Sequence, residues 1–225
     1  MLENLLSAVF VFLVFTIYRY IRAGKSSFFF YNGELIEGNG YRRAESIRFK
    51  MVFIGFIFLI YHSIMSLGLM NAIIFFLTCV SISLINEVVG MKIGIPFGGV
   101  FKYNEGKNGP TLLGVPIYII ITWFGLIYMS FVFSIQIFNY ENFFNSDLNL
   151  FLIRRLCLFP SLLMMFIDIV LDPIAVDEGR WNWEKPGVFY GVPILNFVGW
   201  FFNTFLILII FIFGVFSFGT LGFRS

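Results

Sequence analysis

Glu87, Asp168 and Asp172 are the acidic residues closest to the long apolar runs of the chain, and the two aspartates are spaced i, i+4, which sets both on one face of a helix. All three are expected in the last turn or so of their helices, where the macrodipole opposes a negative charge and apolar surroundings oppose it further. A carboxyl so placed can hold a proton and deliver it as a general acid. Tyr103, Trp181, Trp183 and Tyr190 surround the same layer, and aromatic ring faces attract a cation. Together these types suggest protonation of a lipid-soluble molecule and stabilisation of the cation that results. A structural account stands beside this one. The carboxyls can end helices at headgroup level, paired with Lys92, Arg180 or Lys185, with Asp172 directly before Pro173, and the aromatics can be interfacial belt residues.

Other chemistries find little support. The only histidine, His62, falls about three turns along its span, away from the carboxyl layer, and is expected to make a structural hydrogen bond. With one histidine a zinc site of the His/Cys type is not expected, and no metal or cofactor is assigned. Cys79 and Cys157 lie inside apolar runs, where a thiol acts as a small hydrophobe; they define no disulfide framework. A net charge of +2 gives no reason to expect a nucleic-acid partner.

The elements that must position the carboxyls are membrane helices. The chain is 59% hydrophobic and 12% charged, against about 25% charged in ordinary soluble domains, and its mean hydropathy is +0.90. Apolar runs of about 18 or more residues read as spanning helices, because a helix satisfies its own backbone inside lipid. The runs are continuous rather than alternating, which favours helices over a barrel. The expected architecture is an all-α integral membrane protein with about six spans, near 4–21, 51–68, 71–90, 112–138, 151–172 and 190–216. The first is read as retained rather than cleaved, since Glu3 precedes it and the positive charges follow it. Twelve of the fifteen Lys and Arg residues fall in the odd-numbered loops, including the long loop 22–50, and Arg154, Arg155 and Arg224 fall on the other side. Basic loops stay cytoplasmic. This puts both termini outside a multi-pass protein of the cell membrane, with the main polar loops in the cytoplasm.

A shift of 77 residues aligns Gly114-Val-Pro-Ile117 with Gly191-Val-Pro-Ile194, Trp123-Phe124 with Trp200-Phe201, and Pro96 with Pro173. Internal symmetry is common in membrane folds. The expected units are spans three–four and five–six, related as parallel repeats, so that their polar loops meet at one end of the bundle. The Gly-Val-Pro element reads as a helix start, with Pro in the first turn and Gly allowing a tight entry.

Several separated motifs carry a resemblance: Glu87-Val-Val-Gly, Pro96-Phe-Gly with Phe101-Lys-Tyr103, Gly109-Pro-Thr-Leu-Leu-Gly-Val-Pro116, Asp168-Ile-Val-Leu-Asp-Pro-Ile-Ala175, Trp181-Asn-Trp183 and Tyr190-Gly-Val-Pro-Ile-Leu-Asn-Phe-Val-Gly-Trp200. Over Asn86 to Trp200 the chain resembles the carotenoid biosynthesis protein family, which includes carotenoid hydratases. It departs from that pattern at Gly98-Gly-Val100 and in the charges Asp177-Glu178, which bear on the substrate more than on the reaction type. The resemblance implies addition of water to the terminal double bond of an acyclic carotenoid, giving a tertiary alcohol without a cofactor. On that basis Asp168 or Glu87 is the expected acid, and Asp172, Tyr103 and Asn196 are candidates for holding water. Trp181, Trp183 and Tyr190 then form the cation wall, with Trp200 also facing substrate. Membrane lipid surrounds the protein, and other enzymes of carotenoid synthesis are conceivable partners.

Three other readings use the same residues. A carotenoid end-group cyclase shares the protonation and lets a neighbouring alkene capture the cation. An intramembrane prenyltransferase is suggested by Asp168-x-x-x-Asp172, but the other hairpin offers only Asn86-Glu87 as a second acidic motif. A non-catalytic transporter or lipid-binding protein would keep its site residues near the bilayer midplane, whereas these lie at one end of the spans.

Overall fold

The computed structural model describes residues 39–138 and 149–217. The expected span at 4–21 lies outside the described residues. The described chain is mostly helical: α1 (Asn39–Leu67), α2 (Leu69–Ile93), the short α3 (Glu105–Asn108), α4 (Ile117–Ile137), α5 (Leu150–Asp177) and α6 (Ile194–Ser217). Four of these, α2, α4, α5 and α6, are long and apolar enough to cross a membrane. The apolar part of α1, Val52–Leu67, is shorter. Among the described residues helix α1 takes in Asn39 to Lys50, part of the stretch expected as a loop at 22–50.

Side-chain placement fits a lipid surrounding. Phe53, Ile54, Leu77, Ile85, Phe166 and Phe202 are all more than half exposed, and so much outward apolar surface would be a liability in water. Inside, Phe75 packs edge-on to Phe124, Tyr128 and Phe211, the last at 4.8 Å between ring centroids. Three buried serine hydroxyls are satisfied within their own helices: Ser83 donates to the Cys79 carbonyl, Ser134 to Ser130 and Ser161 to Cys157. Cys79 and Cys157 are free and buried. His62 makes the structural contact expected of it, with Nδ1 2.7 Å from the Tyr128 hydroxyl.

The chain is not purely helical. Two small antiparallel pairs join the helices: β1 (Phe101–Tyr103) with β4 (Trp181–Trp183), and β2 (Thr111–Leu112) with β3 (Val115–Pro116). The β2–β3 pair takes over the residues expected to open the fourth span at 112, so α4 starts at Ile117. Its two-residue turn has positive φ at Leu113 (54°) and Gly114 (84°), as a type I′ hairpin requires. The glycine therefore serves a hairpin turn, and Pro116 caps α4 from outside its first turn. The same geometry recurs before α6, with Phe189 bridged to Val192 around Tyr190 (φ 50°) and Gly191 (φ 83°). Pro96 and Pro173 differ, since Pro96 follows the end of α2 and Pro173 lies inside α5.

Helix α5 also runs past its expected end at residue 172. Proline removes one backbone donor and crowds the preceding turn, yet the helix continues to Asp177. The loop supplies the reason: the backbone N–H groups of Glu178, Gly179 and Arg180 donate to the carbonyls of Ile174, Val176 and Ala175. Pro173, Ile174 and Ala175 are buried as well.

Gly199 of α6 lets the loop after α2 come close. A Cβ at this position would stand 2.6 Å from the Pro96 carbonyl oxygen. Gly199→Val is expected to force that loop off α6 at about 1–3 kcal/mol of overpacking, read as a lower Tm in detergent. An unchanged Tm would mean that the loop is not seated there.

Candidate active site

The C-terminal parts of α2 and α5 and the first turns of α6 bring the carboxyls together beneath the joined loops. Asp168 and Asp172 are fully or almost fully buried, as is Asn196 on α6. The Asn196 amide donates both of its hydrogens, one to Asp168 Oδ2 at 2.7 Å and one to Asp172 Oδ2 at 2.6 Å. The two aspartates thus share one amide donor on α6. Asp168 Oδ1 has no hydrogen-bond partner among the described residues. Asn196 thus serves as a clamp on the aspartates, and its donors are not left for water.

Glu87, on α2, is held differently. Its Oε2 accepts from the Tyr103 hydroxyl at 2.7 Å and its Oε1 from the Trp123 indole N–H at 2.8 Å. Both oxygens are therefore engaged as acceptors, which makes Glu87 the less suited of the three to give up a proton. Burial, and the Glu87 carboxyl beside it, hold the Tyr103 hydroxyl well above the usual tyrosine range, so the phenol stays the donor of that pair. None of the three acids sits in a final helical turn. Because α2 runs to Ile93 and α5 to Asp177, Glu87 and Asp172 lie about one and a half turns inside their helices and Asp168 about two and a half. The helix dipole falls off within the last turn, so burial rather than the dipole governs their surroundings.

A roof of paired strands reaches the carboxyl layer at Glu87, through Tyr103. Phe101 pairs with Trp183 and Tyr103 with Trp181. Alternation along each strand turns Phe101, Trp181 and Trp183 inward, while Lys102 and Asn182 are exposed. Trp181 meets Tyr103 edge-on at 5.6 Å, and Trp183 donates to the Phe97 carbonyl. Outside the strands, Asn108 ties the roof down: its amide donates to the carbonyls of Asn104 and Arg180, and its oxygen accepts from Tyr118. Arg180 is buried in an ion pair with Glu178. Trp200 stacks on Trp123 at 3.9 Å, with ring planes 22° apart. Tyr190 stands apart from this assembly. It is 54% exposed on its turn, with its ring against Phe189, so it does not join the wall expected of it.

Sequence reasoning missed Trp123 as a partner of Glu87, and Asn104, Asn108 and Arg180 as roof residues. A signal existed for Trp123, since a buried indole N–H needs an acceptor and acidic acceptors near the spans are few. Among the described residues no three His, Cys, Asp or Glu side chains converge as metal ligands would.

The model of a family described as carotenoid biosynthesis protein matches residues 48–219, which takes in every residue of this site. The chain belongs to the carotenoid biosynthesis protein family. A bisanhydrobacterioruberin hydratase of Haloarcula japonica is 32% identical over 130 residues. That stretch is 57% of this chain and 40% of the relative, so the match spans less than half of the relative's length. No solved structure matches the chain.

Proposed function

We propose that this protein is a carotenoid hydratase, adding water across the terminal double bond of an acyclic carotenoid to give a tertiary alcohol. The observation that carries the reading is the buried Asp168–Asp172 pair, clamped by Asn196 under an aromatic roof; membership of the family and the name of the relative point the same way. A carotenoid is a rod about as long as the roughly 30 Å hydrocarbon layer is thick. Its end can therefore reach a site at one end of the bundle.

In the proposed reaction Asp168 donates a proton from Oδ1 to the less substituted alkene carbon, and the π electrons form the new C–H bond. The tertiary cation left on the neighbouring carbon is stabilised by the faces of Trp181 and Trp183 and by Glu87, which the Tyr103 and Trp123 donors hold in place. Water adds its lone pair to the cation, and the resulting oxonium returns a proton to the aspartate pair. The net change is one water gained, with no oxidation, and the protein groups end as they began. Asp172 holds the pair's second carboxyl and orients the water. Tyr103 fixes Glu87, and Trp200 lines the substrate path through its stack on Trp123.

The wider arrangement we infer has about six spans in the cell membrane, with both termini outside and the roof loops cytoplasmic. Spans three–four and five–six would be parallel repeats. The matched turns at Leu113-Gly114 and Tyr190-Gly191 support the repeat, as does the contact between Trp123 and Trp200, which are equivalent under the 77-residue shift. No cofactor is required by this chemistry, and neighbouring enzymes of carotenoid synthesis are candidate partners.

The test is to produce the protein in cells that accumulate acyclic carotenoids and to analyse the pigments by mass spectrometry. A gain of one water is expected. A pigment profile unchanged across several acyclic substrates would defeat the hydratase reading, and a cyclised product of unchanged mass would replace it with the cyclase.

A further inference from the structure

Helix α6 carries polar side chains well inside the apolar layer. Asn196, Trp200 and then Asn203 with Thr204 follow at i, i+4, i+7 and i+8, the spacing of one helix face. Asn203 is 2% exposed and Thr204 0%. Asn203 Oδ1 accepts from Asn86 Nδ2 at 2.6 Å, but the amide nitrogen of Asn203 and the Thr204 hydroxyl have no partner among the described residues. Thr204 behaves unlike Ser83, Ser134 and Ser161, whose hydroxyls turn back onto a carbonyl of the preceding turn. By helical rise, Asn203 lies about 10 Å further along α6 than Asn196, at a depth where bulk water does not satisfy polar groups. Polar side chains kept there mark paths for substrates or ions, and each donor left unmade is costly.

We propose that Asn203 and Thr204, steadied by Asn86, form a second binding site, about two helical turns inward of the carboxyl pair, for an oxygen that accepts hydrogen bonds. The Asn203 N–H and the Thr204 hydroxyl both donate to it, and the threonine can accept in return, which suits a hydroxyl or a water. The oxygen has two sources. One is the terminal hydroxyl of a hydrated polyene whose end has drawn back from the carboxyls along the bundle, and this source rests on the hydratase reading. The other is a buried water, which does not rest on it.

The variant that tests this is Thr204→Val, nearly the same shape without the hydroxyl, with Thr204→Ser as the conservative control. The double variant Asn86→Leu with Asn203→Leu removes both sides of the amide pair at once. Purified protein in detergent is titrated with lycopene and with its singly hydrated alcohol, following quenching of tryptophan fluorescence, and Tm is measured without pigment. If the oxygen belongs to the polyene, Thr204→Val raises the Kd of the alcohol on the order of tenfold. The Kd of lycopene then stays as it was, and Thr204→Ser keeps alcohol binding. If the oxygen is water, the pigment-free Tm of Thr204→Val falls by roughly 2–4 °C, Thr204→Ser restores it, and both pigments bind as before. The double variant follows the same pattern in either case. An unchanged or raised Tm together with equal effects on the two pigments overturns the proposal. Wild-type protein that binds neither pigment would count against the polyene reading, while the Tm comparison would still decide whether the site holds an oxygen.

Discussion

Asp168→Asn is expected to leave the protein folded and able to bind pigment but to cut hydration by at least about a hundredfold, within the 10²–10⁴ that a positioned general acid contributes. The amide is close to isosteric with the acid, and its oxygen can still accept from Asn196, as Asp168 Oδ2 does at 2.7 Å. What is lost is the proton on Oδ1, the carboxyl oxygen of this residue without a partner among the described residues. Single-turnover assays with the product detected by mass would separate this loss from weakened binding. Asp172→Asn should fall less far, because it removes the neighbour of the acid and not the acid. Turnover by Asp168→Asn within a few-fold of wild type would end the role given to that residue, and a larger loss in Asp172→Asn would transfer it.

Asn196→Leu is expected to damage both folding and activity. One amide serves two buried carboxyls, so its removal leaves two oxygens without a donor, at about 1–3 kcal/mol each. The aspartates would also lose the clamp that keeps them side by side, and turnover should fall with stability. Thermal melts beside activity assays would show it: a Tm equal to wild type would mean that the amide does not hold the pair. Because Asn196 acts through the aspartates, restoring stability elsewhere in the protein should not restore turnover.

The long apolar runs were legible because lipid imposes length and composition on a spanning helix, and α2, α4, α5 and α6 fall where those runs fall. The three acids stood out for the same reason, as rare groups beside apolar sequence. The roof was not legible. Phe101-Lys-Tyr103 and Trp181-Asn-Trp183 are too short to show strand alternation, and they pair across about 80 residues of intervening chain, a relation that local pattern does not encode. The continuation of α5 through Pro173 was hidden because the carbonyls of its last turn find their donors in the following loop. Tyr190 suggests a cation wall by type, while its backbone, at φ 50°, places it at a turn tip, a position that residue type alone does not reveal.

The stacked indoles of Trp123 and Trp200 have an optical consequence. Two like chromophores in van der Waals contact and tilted by 22° couple their excited states, so their shared transition splits into an exciton pair with circular-dichroism lobes of opposite sign. One ring belongs to α4 and the other to α6. The couplet therefore reports how closely those two helices associate, and it does so in the protein without pigment.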